Sequence, residues 1–238
     1  MNTTCACGQS YEAPEKKPPD FLSFLDRPEC CPACTVRQDA EDDEADRRME
    51  AEQREKQAAR NEAAVDRIIP PRLRLTDPAD ARFNSVLWDQ VTAWQPTAEK
   101  PWLGLVGETG ESKTRCAYLR LRQFAREAAL AERPFHGAMI SGMEFARAVV
   151  EQYREEGSGK VLREARTAGI LVFDELGKVK ATAGVMDELF ALIDHRHAHN
   201  LVTIWTGNAG PQEFCTAWPE EYAGPGCGRI LEASVVVG

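Results

Sequence analysis

The stretch Gly107-Glu-Thr-Gly-Glu-Ser-Lys-Thr114 constrains this chain more than any other part of its sequence. It follows a short apolar run at 102–106, which predicts a buried strand, and it precedes residues 115–132, which predict a helix. A strand, a glycine-containing loop, Lys-Thr and a helix form the layout of a phosphate-binding loop. Backbone N–H groups of such a loop, together with the helix N-terminus, create a concave positive site for phosphate oxygens.

Individual residues of this loop have expected roles. Lys113 would reach the terminal phosphates of a nucleotide, and the Thr114 hydroxyl would help to hold Mg²⁺. Ser112 departs from the pattern, because Gly is expected there and Ser adopts positive φ less easily. An ordinary strand-to-helix turn rich in small residues is the open alternative. The predicted nucleotide contacts are Gly107, Glu108, Thr109, Gly110, Glu111, Ser112, Lys113, Thr114 and Arg115.

Two later strands supply polar side chains for the same site. The apolar run 170–173 ends in Asp174 and Glu175. Asp174 at a strand tip beside the loop would hold Mg²⁺, and Glu175 would polarise an attacking water for phosphoryl transfer. A further apolar run at 201–206 ends at Gly207 and Asn208. Asn208 would lie near the γ-phosphate and orient water, although a simple turn residue is the alternative.

Five of the eight cysteines lie in the first 34 residues. Cys31 and Cys34 have the two-residue gap of a zinc knuckle, and Cys5 and Cys7 can complete a tetrahedral set of four thiolates. Cys30 is either a spare or an alternative to Cys31. The spacer between the cysteine pairs has too few apolar residues to fold without a metal. A structural zinc site is therefore predicted, and a disordered tail with oxidisable thiols is the alternative.

Residues 39–66 contain no Pro or Gly and are rich in Ala, Glu, Arg and Gln, which favour helix. Acidic and basic residues recur four positions apart, and no apolar stripe runs along the segment. This pattern predicts a solvated helix of about 40 Å. A partly disordered charged linker is the alternative.

Two helix faces can be predicted in the remainder of the chain. After Asp77 or Asp80, either of which could cap a helix, the apolar residues keep helical spacing. Along the helix that follows the loop, the arginines are expected to form a solvated face. The apolar positions of the first helix are Phe83, Val86, Leu87, Val91 and Trp94, and the arginines of the second are Arg115, Arg120, Arg122, Arg126 and Arg133.

Composition excludes several broad classes. The net charge of −9 means that any contact with nucleic acid must come from a local patch. No apolar run approaches the length of a membrane span, and the N-terminus lacks the core of a signal peptide. A cytoplasmic protein with no membrane partner is therefore expected. In that compartment, eight cysteines suggest metal binding before disulfides.

The order of these motifs resembles the DnaC/IstB-like branch of the AAA+ ATPases over residues 68–238. The Ile-Pro-Pro-Arg lead-in, the loop, the acidic strand tip and the strand before Asn208 are similar to that family's motifs, and Gly228-Arg-Ile resembles its arginine-finger box. The resemblance implies an α/β fold with a P-loop (AAA+/ASCE) parallel sheet flanked by helices. Nine residues follow Arg229, so the expected fold lacks a C-terminal lid.

The resemblance also implies a function. It suggests an ATPase that uses ATP and Mg²⁺, binds a replicative ring helicase (DnaB-type) and single-stranded DNA, and helps to load the helicase in DNA replication. Subunits would associate through their ATP sites, with Arg229 acting on the neighbour's nucleotide. A zinc-binding module (1–35), as in phage-type loaders, a charged helical connector (36–67) and an AAA+ ATPase domain (68–238) are expected. The alternatives are a transposition helper ATPase and an ATP-binding adaptor without significant hydrolysis.

Overall fold

A computed structural model describes residues 2–5, 7–12, 31–153, 159–179 and 182–238. Its contacts divide the chain into two compact units, Met1–Glu55 and Lys56–Gly238. The expectations for Cys30 and for the spacer before it fall outside the described residues. None of the helices in the described part of the chain has the length and hydrophobicity that a membrane span requires.

The first unit contains a small hairpin and the start of a long helix. Strands β1 (Asn2–Thr4) and β2 (Ser10–Glu12) pair in antiparallel fashion. Gly8 has φ of 86° in the connecting turn, a conformation that glycine adopts without a steric penalty. Helix α1 (Pro32–Ile68) begins with a proline, which the first turn of a helix tolerates.

Helix α1 confirms the predicted helix but corrects its expected exposure. Ion pairs four residues apart, such as Glu44–Arg48 at 2.5 Å and Glu50–Arg54 at 3.4 Å, support its charged part. In its last three turns, however, Ala58 and Val65 are completely buried. The prediction that this helix has no face to bury was therefore wrong, because small apolar residues seven positions apart were hidden among charges.

The second unit is built on a five-stranded parallel sheet. Its strands are β3 (Trp102–Val106), β4 (Gly137–Ser141), β5 (Ile170–Asp174), β6 (Val202–Gly207) and β7 (Ser234–Val237). Their order across the sheet is β4-β5-β6-β3-β7. All four neighbouring pairs are parallel, as expected when helices cross over between strands. The predicted fold class is confirmed; the short strand β7 was not predicted.

Helices cover both faces of this sheet. They are α2 (Pro71–Arg74), α3 (Ser85–Ala93), α4 (Lys113–Leu130), α5 (Gly142–Tyr153), α6 (Lys160–Thr167), α7 (Ala183–Ala198), α8 (Pro211–Phe214) and α9 (Glu220–Ala233). Two hydrophobic clusters result. One packs side chains of α5, α6, α7 and α9 on the sheet, and the other packs the end of α1 with α3 and α4. Neighbouring residues of β3 alternate between these clusters, as the two-residue period of a strand requires.

The start of α3 differs from expectation. Asn84 caps this helix, because its Oδ1 accepts a hydrogen bond from the Leu87 N–H at 3.0 Å. Asp77 and Asp80 instead accept backbone N–H groups of the preceding turns. Val86 is 68% exposed, so its predicted burial was wrong.

The arginines of α4 also differ from expectation, because three of them contact protein groups. Arg120 is 2% exposed and donates to the Trp94 carbonyl and to Glu127. Arg122 and Arg126 form ion pairs with Glu62 of α1, at 3.4 and 3.6 Å. Part of the predicted solvated face is therefore the surface on which the end of α1 packs.

Candidate functional site

The loop between β3 and α4 has the backbone geometry that its glycines predict. Gly107 and Gly110 have φ of 148° and 99°. Ser112 also lies in the left-handed region, with φ of 65° and ψ of 11°. This is the position where glycine was expected. The Ser112 hydroxyl is buried and accepts a hydrogen bond from the Asn84 N–H at 3.4 Å, so α3 helps to hold the residue in this conformation.

Lys113 folds over the loop that precedes it. Its Nζ donates to the carbonyl oxygens of Gly107 at 2.6 Å and Glu108 at 2.5 Å. The side chain is buried, and burial lowers the pKa of Lys113, although Glu111 and Asp174 oppose that change. The ammonium group therefore lies over the concave face of the loop and donates to two carbonyl oxygens of the loop.

Glu111 adds a negative charge to the same loop. Its carboxylate accepts the Glu108 N–H at 2.8 Å. A Cβ atom on Gly107 would lie only 2.0 Å from this carboxylate, so the absence of a side chain at Gly107 permits the contact. An anion thus already accepts one of the loop's backbone donors.

Three side chains meet at the tips of α4, β5 and β6. The Asp174 carboxylate accepts hydrogen bonds from Thr114 Oγ1 at 2.8 Å and from Thr206 Oγ1 at 2.6 Å. Strand β6 lies between β3 and β5, yet Thr114 and Asp174 still touch across its tip. A hydroxyl beside a carboxylate is a suitable oxygen ligand pair for Mg²⁺. Sequence analysis missed Thr206, although it stands in the strand that leads to Asn208.

Glu175 directly follows β5 in a strained conformation. Its φ is 56°, and its N–H donates to Thr206 Oγ1 at 2.9 Å. Its carboxylate accepts from Lys178 Nζ at 2.5 Å. A non-glycine residue at positive φ is uncommon, and such strain is often found at functional sites.

A cavity of about 470 Å³ lies over the loop, and most of these residues line it. This volume is within the range of small-molecule sites. Gly107, Glu108, Asp174 and Arg229 are outside its lining. The predicted residues that line it are Thr109, Gly110, Glu111, Ser112, Lys113, Thr114, Arg115, Glu175 and Asn208. Sequence analysis did not predict the other lining residues, which are Leu73, Arg82, Gly177, Lys178, Thr206, Gly207, Ala209 and Phe214.

Arg229 lies on α9, away from the cavity of its own chain. The glycine-rich segment around it is helical, even though Pro225 lies inside the helix. Its guanidinium group forms an ion pair with Asp194 at 2.6 Å and lies over the Phe190 ring at 4.8 Å from the centroid. Arg229 is therefore held on the surface formed by α7 and α9.

A second candidate site lies in the N-terminal unit. The sulfur atoms of Cys5, Cys7, Cys31 and Cys34 are all within 4.8 Å of one another. Four thiolates around tetrahedral Zn²⁺ at about 2.3 Å would place their sulfur atoms about 3.8 Å apart, so the cluster fits a zinc ion.

The protonation of these thiols is uneven. Hydrogen bonds from backbone groups of Cys31 and Cys7 lower the pKa of Cys5 to about 6. Thiol contacts, first with Cys7, raise the pKa of Cys34 to about 12. Metal binding at this cluster must therefore displace protons from some of its thiols.

One curated protein and several solved structures are similar to this chain. No protein-family model matches the chain. The replicative helicase loader DnaI of Bacillus subtilis (strain 168) is 25% identical over 141 residues, which cover 59% of this chain and 43% of DnaI. This chain is similar in sequence to the helicase loader DnaI. The match thus spans less than half of DnaI's length.

The solved structures support the same relationship at the level of the fold. A crystal structure of DnaI superimposes with a TM-score of 0.55 and 18% identity, and covers 71% of this chain and 93% of that one. The predicted resemblance to DnaC/IstB-like loaders is confirmed, and the shared fold is the parallel sheet flanked by helices.

Proposed function

We propose that this protein binds ATP and Mg²⁺ in the cavity over the loop and hydrolyses the nucleotide. The contact of Thr114 with Asp174 carries the proposal, because it joins the loop to the acidic strand tip. Thr114 and Asp174 would hold Mg²⁺, which neutralises charge on phosphate oxygens when bound. Lys113 would turn from the loop carbonyls to the terminal phosphates, which are stronger partners for an ammonium group.

Glu175 is the proposed general base for hydrolysis. Its carboxylate lines the cavity beyond the loop, where it can accept a proton from an attacking water. Asn208 lines the same end and would orient that water or contact the γ-phosphate. Thr206 supports both residues, because its hydroxyl donates to the Asp174 carboxylate and accepts from the backbone N–H of Glu175.

The similarity to DnaI supports a role in loading a replicative ring helicase onto DNA. Subunits would associate through their ATP sites, and Arg229 would complete the site of a neighbouring subunit. Its position outside the cavity of its own chain agrees with action on a neighbour. The domain containing the cysteine cluster would bind the helicase, and the ATPase domain would contact single-stranded DNA.

Nucleotide binding and hydrolysis can be separated by two substitutions. Lys113→Ala should abolish ATP binding measured by calorimetry, because the loop loses its cation. Glu175→Gln should retain binding and lower turnover by at least about 100-fold, since a general base contributes this much. Equal turnover in the wild type and in Glu175→Gln would contradict the assigned base.

The loading function is tested by light scattering of the protein mixed with the replicative helicase of the same host in the presence of ATP. A discrete complex is expected with the wild type. The Cys31→Ser, Cys34→Ser variant should lose both its zinc and the ability to form this complex. Cys116→Ser is the matched control, since Cys116 lies in the ATPase domain. No complex with the wild type would contradict helicase loading.

An ATP-binding adaptor with weak turnover is the second candidate. The Glu111 carboxylate already accepts a loop N–H, and Glu175 is paired with Lys178. Both contacts oppose rapid catalysis unless ATP replaces them. Turnover by the wild type that is lost in Glu175→Gln would exclude this candidate.

A further inference from the structure

A short helical turn fixes Lys178 at the edge of the cavity. Residues Leu176–Lys178 form one 3₁₀ turn, closed by the Lys178 N–H, which donates to the Glu175 carbonyl at 2.9 Å. Leu176 is buried in the core, and a Cβ on Gly177 would meet Phe214 at 3.0 Å. The backbone of this turn is therefore held on both sides, and its lysine side chain is the part free to change partner.

Lys178 forms an ion pair with Glu175, the proposed general base. Its Nζ lies 2.5 Å from Glu175 Oε1, and both side chains line the cavity. About half of each side chain is exposed, at 52% and 45%. Ion pairs with this exposure are weak and readily exchanged.

Two ammonium groups approach the same volume. After burial, which is the main cause, the charge of Lys178 also contributes to the lowered pKa of Lys113. Lys113 lies over the loop, while Lys178 pairs with Glu175, and both lysines line the cavity. A polyphosphate that extends from the loop toward Glu175 would meet Lys178 with its last phosphate. The phosphates of such an anion would pair with the ammonium groups of Lys113 and Lys178 at the same time.

We propose that Lys178 is a second phosphate-binding lysine that recognises the terminal phosphate of ATP. In doing so, the Lys178 ammonium group leaves the Glu175 carboxylate and pairs with that phosphate. This inference rests on the proposed ATP site. When ADP is bound, Lys178 keeps its pair with Glu175 and the base stays neutralised. When ATP is bound, Lys178 moves to the γ-phosphate, and Glu175 becomes available to water. The exchange links the presence of the γ-phosphate to the release of the base.

Affinity for two nucleotides tests this assignment. In Lys178→Met, calorimetry should show that the affinity for a non-hydrolysable ATP analogue falls about tenfold, as expected for one lost charged hydrogen bond. The affinity for ADP should stay within about twofold of the wild type by the same reasoning. Lys178→Arg should retain most of the preference. Lys160→Met is the matched control, because Lys160 pairs with Glu164 at 3.6 Å on α6, outside the cavity lining.

A double-mutant cycle tests the exchange itself. Glu175→Gln removes the competing charge, so it should raise affinity for the ATP analogue several-fold, and the rise should vanish when Lys178→Met is added. Equal losses for ADP and the analogue, or no loss for either, would overturn the inference. Faster turnover in Lys178→Met at unchanged affinity would also overturn it.

The wild type separates this inference from the proposed function. If the wild type binds both nucleotides and Lys178→Met keeps the wild-type affinity for each of them, the inference alone would be overturned. A wild-type chain that binds neither would overturn the ATP site and the inference together.

Discussion

At the scale of single residues, the loop contains charges that a phosphate must displace. Glu111 accepts the Glu108 N–H, and Lys113 donates to loop carbonyls. A nucleotide at the proposed site would therefore have to compete with contacts inside the loop.

We expect Glu111→Gln to bind ATP several-fold more tightly, because the loop loses a negative charge near the phosphates. Calorimetry with ATP and with tripolyphosphate measures the effect, and both ligands should gain similarly since they share the phosphates. Glu99→Gln, an exposed carboxylate outside the cavity lining, is the control. Unchanged affinity for tripolyphosphate would show that Glu111 does not compete with phosphate.

Ser112 carries a backbone cost that glycine would avoid. Because φ is 65° at this position, Ser112→Val should lower the free energy of unfolding by about 2 kcal/mol, whereas Ser112→Gly should change it by less than about 1 kcal/mol. Urea denaturation measures both values. Similar losses for Val and Gly would mean that the Ser112 hydroxyl, rather than its backbone, determines the cost.

At the scale of helices and strands, a buried guanidinium group joins three elements. Arg196 of α7 is 1% exposed, and burial lowers its pKa to about 9. It donates to the carbonyls of Ala165 and Ala168, at the end of α6, and of Val202 in β6. These bonds connect α7 to the end of α6 and to the start of β6.

Arg196→Met should therefore lower the free energy of unfolding by about 3 kcal/mol or more, since several buried acceptors lose their donor. Arg163→Met, on the exposed face of α6, should change it by less than about 0.5 kcal/mol. Thermal or urea denaturation makes the comparison. A loss below about 1 kcal/mol at Arg196 would contradict its role as a link between elements.

Patterns of residues predicted most of these elements, but not all. Strand β5 was recognisable because its apolar run is continuous and ends in two acids. Strand β7 was missed because four residues after a glycine-rich helix give too little pattern. The buried face of α1 was missed because Ala58 and Val65 are small and stand among charged residues.

The residues of the candidate site likewise divide into those that a sequence pattern predicted and those that it did not. Residues in a recognisable motif, such as Lys113 and Asp174, could be named from sequence. Arg82 and Lys178 could not, because they reach the cavity through turns whose geometry no local pattern specifies.

At the scale of the whole molecule, the proposed arginine finger, Arg229, lies outside the cavity of its own chain. Arg229 is tied to Asp194 on the surface of α7 and α9, so a neighbouring subunit would have to bring its own arginine to the nucleotide. ATP hydrolysis would then require an assembly of subunits.

A mixing experiment tests this arrangement. Lys113→Ala and Arg229→Ala should each lower turnover by at least about 100-fold, as loss of an arginine finger does. An equimolar mixture should recover part of the activity, because one protein supplies Arg229 and the other supplies an intact loop. Arg163→Ala should behave as wild type. Failure of the mixture to recover, with assembly intact, would contradict action on a neighbour.

The two hydrogen bonds of Thr206 restrict which residues can replace it. One hydroxyl donates to Asp174 and accepts from the backbone of Glu175, in a space that leaves the residue 1% exposed. A serine can make the same two bonds, while valine of equal shape can make neither. In a library selected for growth or activity, position 206 should therefore keep only Thr and Ser, even though neither bond reaches the nucleotide.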